Sequence, residues 1–214
     1  MEIRDRILRA AARVYSQHGF RGATTRLIAQ EADVNEVTLF RTFGSKEALI
    51  EEAIRASAAA ADVAELPDEP VDPEQELATW CASRIREMHL GRALIISCMA
   101  DVEQRPEVAC GANLGASRSW TQLKRYLERL RAKGLMDPNV HLEAAGSMFM
   151  GVAFGDAMGR PMIPELFPKA VEAAALDYTR LFLRAIAPGS GNQKKSGNGR
   201  QSAAGISTST SSPK

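Results

Sequence analysis

A chain of 214 residues, 45% of them hydrophobic, is long enough to bury one medium domain or two small ones. No run approaches the roughly 18 to 20 apolar residues that span a bilayer, which argues against a membrane partner, and Arg4, Arg6, Arg9 and Arg13 interrupt the N-terminus where a secretory leader would be apolar. The net charge of +1 excludes little, but its distribution is informative: the first 50 residues hold eight Lys/Arg against six Asp/Glu, residues 51–187 fifteen against twenty, and the remainder four against none.

In chain order, the first predicted helix covers about Glu2 to His18, with Ile3, Ile7, Leu8, Ala11, Val14 and Tyr15 as its apolar stripe and Gly19 as its stop. Arg4, Arg6 and Arg13 on this helix are solvated or, for one near the N-terminus, within reach of a phosphate. The stretch from Thr24 to Lys46, TTRLIAQEADVNEVTLFRTFGSK, then holds two short amphipathic segments. Thr24 or Thr25 can cap the first, which carries Leu27, Ile28 and Ala32 at helical spacing and ends at Asp33. Val34 begins a turn and Asn35 can cap the second, in which Leu39 and Phe43 lie four apart on the inner side. Glu36, Val37, Thr38, Phe40, Arg41 and Thr42 are left outside. Gly44 suits a left-handed stop, and Ser45 caps a fourth helix expected to continue to Ala64. Neither short segment can bury its apolar side alone, so the pair needs a platform. Two such helices about a sharp turn read as a helix-turn-helix, with the second offered to a DNA major groove.

Glu65 to Pro73, with three prolines and four acids, reads as a solvated loop. A long helix is expected from Pro73, with Leu77, Trp80, Cys81, Ile85 and Met88 on one face and a break at Gly91. Ala93 to Val102 is apolar nearly all round and predicts a central, buried helix. Arg105-Pro106 marks the next boundary. Trp120, Leu123, Leu127 and Leu130 stripe the helix that follows, up to Gly134. Asp137-Pro138 supplies a cap followed by proline for a further helix, along which Gly151, Gly155 and Gly159 recur every four residues. Glycine costs about 1 kcal/mol in a helix interior, so a compensating close approach is expected, either within the chain or across a dimer interface. A last helix, about Pro168 to Ala187, carries Tyr178, Leu181 and Phe182 to join such an interface. The segment from Pro188 is rich in Gly, Ser, Thr, Asn and Lys and cannot offset the entropy of ordering. Cys81, Cys98 and Cys110 lie in apolar helical stretches without a paired spacing, which fits reduced thiols in a cytoplasm.

Residues Arg6 to Ile54 closely resemble the DNA-binding domain of the tetracycline-repressor (TetR) family. The resemblance rests on Gly19-Phe20, Thr24-Thr25, Ile28-Ala29, the Val34 turn, Thr38-Leu39-Phe40 and the closing Ser45-Lys46-Glu47-Ala48-Leu49. It implies an all-α chain: a helix-turn-helix domain with its connecting helix over residues 1–64, an effector-binding and dimerisation domain over 65–187, and a disordered tail over 188–214. The last two long helices of each subunit would form a four-helix dimer bundle. Function would be that of a regulator, most simply a repressor, that binds a palindromic DNA operator as a homodimer and is released by a small, largely apolar effector.

By the same resemblance, Thr25, Thr38 and Lys46 match phosphate-binding positions and Arg26 one that can reach a base, where its fork suits guanine O6 and N7. Glu36 and Val37 stand where relatives often carry a basic residue and glycine. Glu36 can accept from a cytosine amino group or merely favour the helix N-terminus, and Val37 can touch a thymine methyl. Phe40 replaces a usual tyrosine and lacks its hydroxyl, Thr42 replaces a frequent histidine, and Arg41 lies near the DNA backbone or faces solvent. Asn35 completes the set as the cap of the reading helix.

An effector pocket is expected among Trp80, Arg84, Met88, Met99, Trp120 and Phe149, although Met and Trp stripes are also ordinary core. His89, Asp156, Met148 and Met150 are further candidates. A rival reading is a helical enzyme or ligand-binding protein without DNA binding, and a third keeps the helix-turn-helix for protein contacts. Against an enzyme, His18, His89 and His141 show no metal-ligand spacing, and there is neither a phosphate-cradling glycine motif nor a nucleophile elbow, so no catalytic residue, metal or cofactor is assigned.

Overall fold

The computed structural model describes residues 2–60, 64–104 and 106–189, the side chains of 106–114 excepted. Nine α-helices occupy the described residues: α1 Ile3–Gly22, α2 Thr25–Glu31, α3 Glu36–Phe43, α4 Lys46–Ala59, α5 Pro73–Leu90, α6 Arg92–Asp101, α7 Pro106–Ala132, α8 Leu142–Gly159 and α9 Val171–Ile186. They enclose two apolar cores. Ile7, Ala11, Val14 and Tyr15 of α1 pack with Ile28 of α2, Leu39 of α3 and Leu49, Ile50, Ala53 and Ile54 of α4. Leu77, Trp80 and Ile85 of α5 pack with Leu123, Tyr126, Leu127 and Leu130 of α7, Phe149 of α8 and Phe182 and Ile186 of α9.

The short helices form for local reasons that the sequence displays. Thr24, rather than Thr25, caps α2, its hydroxyl accepting from the Leu27 N–H at 3.2 Å. Ala32 closes α2, Asp33 adopts a left-handed φ of 53°, and the Val34 N–H returns to the Ala29 carbonyl at 3.0 Å. The Asn35 side chain caps α3 through the Val37 N–H at 2.9 Å. Gly44, at φ 76°, ends it, and the Ser45 hydroxyl caps α4 through the Ala48 N–H at 3.1 Å. Gly19, at φ 62°, breaks helical geometry where a stop was expected, although one further turn carries α1 to Gly22.

The body departs from expectation in several places. The 65–73 loop is anchored rather than wholly solvated: Leu66 enters the C-terminal core and Pro70 is buried. Ion pairs Arg118–Glu65 and Arg129–Asp68 to α7, and Lys133–Glu69 just past its end, at 2.8 to 2.9 Å, hold three of its acids. Helix α6 is not a central buried helix. Only Cys98 on it is buried, while Ile96, Met99 and Val102 face outward. It lies against α1 instead, and Cys98 joins the N-terminal core. Helix α8 begins at Leu142 with His141 as its cap, because Asp137 is engaged in a turn of its own, accepting from the Asn139 N–H at 2.8 Å and donating its N–H to the Ile186 carbonyl at 2.8 Å. The expected extension of α4 to Ala64 falls partly on residues 61–63, and most of the expected tail on 190–214, both outside the described residues, as is the side chain of Cys110.

Candidate nucleic-acid interface

Leu39, almost fully buried, pins α3 to the platform, while Phe43 is half-buried with the Arg4 guanidinium 5.5 Å from its ring centre. That orientation fixes what α3 turns outward. Val37 and Phe40 are 70% and 48% exposed, large apolar groups displayed on a helix that has polar alternatives at hand. Arg41, Thr42 and Asn35 are exposed beside them, and Arg26 is exposed on α2. Thr42 is not a free donor, since its hydroxyl returns to the Thr38 carbonyl at 2.7 Å. Thr38, half-buried, stands one turn back along α3.

Two of the three expected phosphate ligands are engaged within the fold. Thr25 donates its hydroxyl proton to Glu36 Oε1 across the turn. The Lys46 ammonium sits 4.2 Å from the Phe20 ring centre and donates to the Phe20 carbonyl. An ammonium has three protons. A threonine has one. Three arginines of α1 are also engaged: Arg4 pairs with Glu52, Arg13 with Glu31 at 2.6 Å, and Arg6 donates to the Asp33 carbonyl at 3.4 Å.

In the body, the expected pocket residues do not converge on one space. Trp80 and Phe149 are buried and stack at 6.2 Å, Phe182 stacks on Phe149 at 4.5 Å, and the Trp80 indole donates to Gln122 at 2.6 Å. Met88 packs at the edge of this core, and Trp120 covers Gly146. Met99 points out from α6, 57% exposed, and belongs to neither core. Arg84 is buried on α5, bonded to Ser119 and 3.6 Å from Glu87, and burial together with nearby Arg118 lowers its affinity for its proton, partly offset by Glu87. A cavity of about 770 Å³ lies elsewhere, between the 65–68 loop and Arg118, Gln122, Arg125 and Arg129 of α7.

The glycine stripe also divides. Gly159 approaches Phe167 and Gly146 approaches Trp120, both within the chain, whereas Gly151 and Gly155 face open space. On the same helix Met148, Val152 and Phe154 are exposed, as is Leu181 of α9. Phe182, expected at a subunit interface, lies in the core instead, because its ring is a layer of the Trp80–Phe149 stack. Tyr178 is half-buried and donates to Asp156 at 2.8 Å.

Sequence reasoning passed over the contacts that join α1 to α6. The Tyr15 hydroxyl donates to Asp101 Oδ2 at 3.0 Å, and Ser97 on α6 donates to the Ser16 carbonyl at 3.3 Å. Burial, nearby Cys98 and the Asp101 carboxylate hold the Tyr15 phenol protonated well above its ordinary range. The only sequence signal was a tyrosine among the core positions of α1, which needs a partner for its hydroxyl.

Residues 7–53 match the family described as bacterial regulatory proteins, tetR family. The chain is 27% identical over 160 residues to the HTH-type transcriptional regulator UidR of Escherichia coli (strain K12), covering 71% of this chain and 78% of that protein. Its fold is that of Salmonella enterica GusR, with a TM-score of 0.66 at 24% identity over 86% of this chain and 95% of that one. The transcriptional regulator FadR from Bacillus subtilis, solved in complex with stearoyl-CoA, gives a TM-score of 0.66 at 17% identity over 85% and 98%. UidR and FadR are transcriptional regulators. No helix among the described residues is long and apolar enough to cross a membrane, and no group of three or more His, Cys, Asp or Glu among them could hold a metal ion.

Proposed function

We propose that this chain, whose residues 7–53 match the tetR family of bacterial regulatory proteins, is a DNA-binding transcriptional repressor that binds a palindromic operator as a homodimer and leaves it when a small, largely apolar effector binds. The observation that carries the DNA side is the division of α3: Leu39 buried against the platform, Val37, Phe40, Arg41 and Thr42 outward. Arg26 and Val37 read base edges, Thr38, Arg41 and Lys46 position the helix on phosphate, Phe40 adds ring contacts to the groove wall, and Thr42, whose proton goes to the Thr38 carbonyl, stands on the exposed face of α3 without donating. Asn35 keeps the first turn of α3 formed.

The dimer reading is supported by the exposed apolar face of α8 and α9, where Gly151 and Gly155 would let a second copy's backbone come close and Val152, Phe154 and Leu181 would be covered. Two reading helices on one frame then meet two half-sites about one helical turn apart. The effector reading rests on Trp80, Met88 and Phe149 in the core between α5, α7 and α8, with Trp120 against Gly146 beside it and Arg84 as a polar guide. That interior is packed, so binding parts those helices. Helix α4 touches α7 and α1, and α6 touches α1 and α7, so displacement of α7 reaches the platform on which α3 is mounted. FadR with its stearoyl-CoA supports an effector with a long apolar portion.

The test is selection of double-stranded operators from random DNA, followed by gel shifts across a salt series and with candidate apolar ligands. Enrichment of an inverted repeat is expected. Arg26→Ala should lose about 1–3 kcal/mol with altered base preference, and Lys46→Ala should weaken all sequences and reduce the salt slope by about 1. Failure to enrich any sequence would remove the reading.

A further inference from the structure

The hydrogen bond from Thr25 to Glu36 joins the first residue of α2 to the first residue of α3 across the turn. Capping of α2 falls to Thr24 and capping of α3 to Asn35, so neither Thr25 nor Glu36 is needed for that task. The Thr25 hydroxyl has one proton, and Glu36 has it. Both side chains are half-buried, which holds the carboxylate at the front of α3 instead of letting it swing out to solvent.

A carboxylate on a DNA-facing surface is repelled by phosphate and is useful only where it meets a donor. In the major groove the amino groups of cytosine and adenine are donors, but adenine also shows its N7 acceptor, which a carboxylate cannot satisfy; cytosine offers the amino group alone. Val37, the next residue and 70% exposed, suits a thymine methyl beside it. We infer that Thr25 is a positioning residue that holds Glu36 by its hydrogen bond, and that the pair selects a cytosine amino group at the operator base met by the first turn of α3. This removes Thr25 from the phosphate-binding set and rests on the DNA-binding reading above.

Operators are selected from random double-stranded DNA with the full chain and with Thr25→Val, Thr25→Ser, Glu36→Gln and Glu36→Ala. Their salt dependence is then measured, and thermal melts check that each variant is folded. The unsubstituted protein should fix a cytosine at one position of each half-site. Glu36→Ala and Thr25→Val should relax that same position by roughly tenfold or more without changing the salt slope. Thr25→Ser, which keeps the proton, should retain the preference. Glu36→Gln should turn it towards adenine, whose N6 and N7 an amide matches. A Thr25→Val protein that binds every sequence more weakly with a slope smaller by about 1 would make Thr25 a phosphate ligand and overturn the assignment. So would unchanged base preference in both Glu36 variants. If the unsubstituted protein selects no operator, the DNA-binding reading falls; a selected operator indifferent to Thr25 and Glu36 overturns this assignment alone.

Discussion

Asp156 is the most deeply buried carboxylate among the described residues, and both of its oxygens are engaged. Arg160, one turn along α8, meets both oxygens at 2.9 Å, and Tyr178 of α9 adds a third bond. Arg160 continues to the Phe167 carbonyl at 3.0 Å, so a charged pair within one helix also fixes how the chain leaves it. Tyr126 and Glu76 show the same economy between α7 and α5. The Glu76 carboxyl is raised by partial burial, but its bonds from the Tyr126 hydroxyl and from the Asp72 and Val71 N–H groups outweigh that and hold it below the ordinary value of 4.5. A folded-state value below the unfolded one means that this stability is fully present above about pH 4.5 and is lost as the pH falls through the lowered folded value. Tyr126→Phe should therefore lower the urea midpoint at neutral pH by about 1 kcal/mol of stability. It should also shallow the decline of that midpoint in acid; an unchanged acid limb would mean that the bond does not set the titration.

At the scale of the element, helix α8 shows how one glycine pattern serves two ends. A Cβ on Gly146 would stand 2.5 Å from the Trp120 ring, with Leu127 immediately behind, whereas one on Gly151 would meet nothing within the chain. Gly146→Ala should thus destabilise the fold by about 1–3 kcal/mol through overpacking. Gly151→Ala should raise the stability of an isolated chain by up to about 1 kcal/mol through helix propensity. Denaturant titrations at several protein concentrations separate the effects: if the Gly151 face meets a second copy, its gain disappears as association sets in. Helix α6 carries the complementary lesson. Its composition is apolar on every side, yet it sits at the surface, because its task is to touch α1 with Tyr15, Cys98 and Asp101 grouped at the contact.

Across the whole molecule, the two cores are separate but not independent, since α4 and α6 each contact both α1 and α7. In the proposed mechanism, a shift in the body would tilt the reader through these helices. The exposed apolar face of α8 and α9 is where the proposed dimer would form. Leu181 is 65% exposed, so a charge there costs the isolated chain little. Leu181→Arg should leave the thermal melt of the monomer nearly unchanged yet yield monomers in sedimentation at concentrations where the unsubstituted protein is a dimer. Operator affinity should fall with it, because each half-site is then bound alone. A dimer that persists would move the interface to another face.

The sequence by itself determined the helix-turn-helix, because everything that forms it is local: Asn35 and Ser45 as caps, Gly44 as a stop, and Leu39 and Phe43 at helical spacing act within a turn or two of the chain. It also located α5, α7 and α9 to within a few residues by their apolar stripes. Only tertiary structure decided which apolar surfaces the chain covers itself. Phe182 and Leu181 are neighbours in one apolar stretch, yet one completes the Trp80–Phe149 stack and the other is bare. Periodicity states that a face is apolar, not what lies against it. The candidate site divides along the same line. That α3 displays Val37 and Phe40 was legible from its period, whereas the engagement of Thr25 by Glu36, eleven residues away, and of Lys46 by Phe20, twenty-six away, required the fold to bring them together. A side chain's chemistry is written in the sequence, but the partner that commits its proton is chosen by packing.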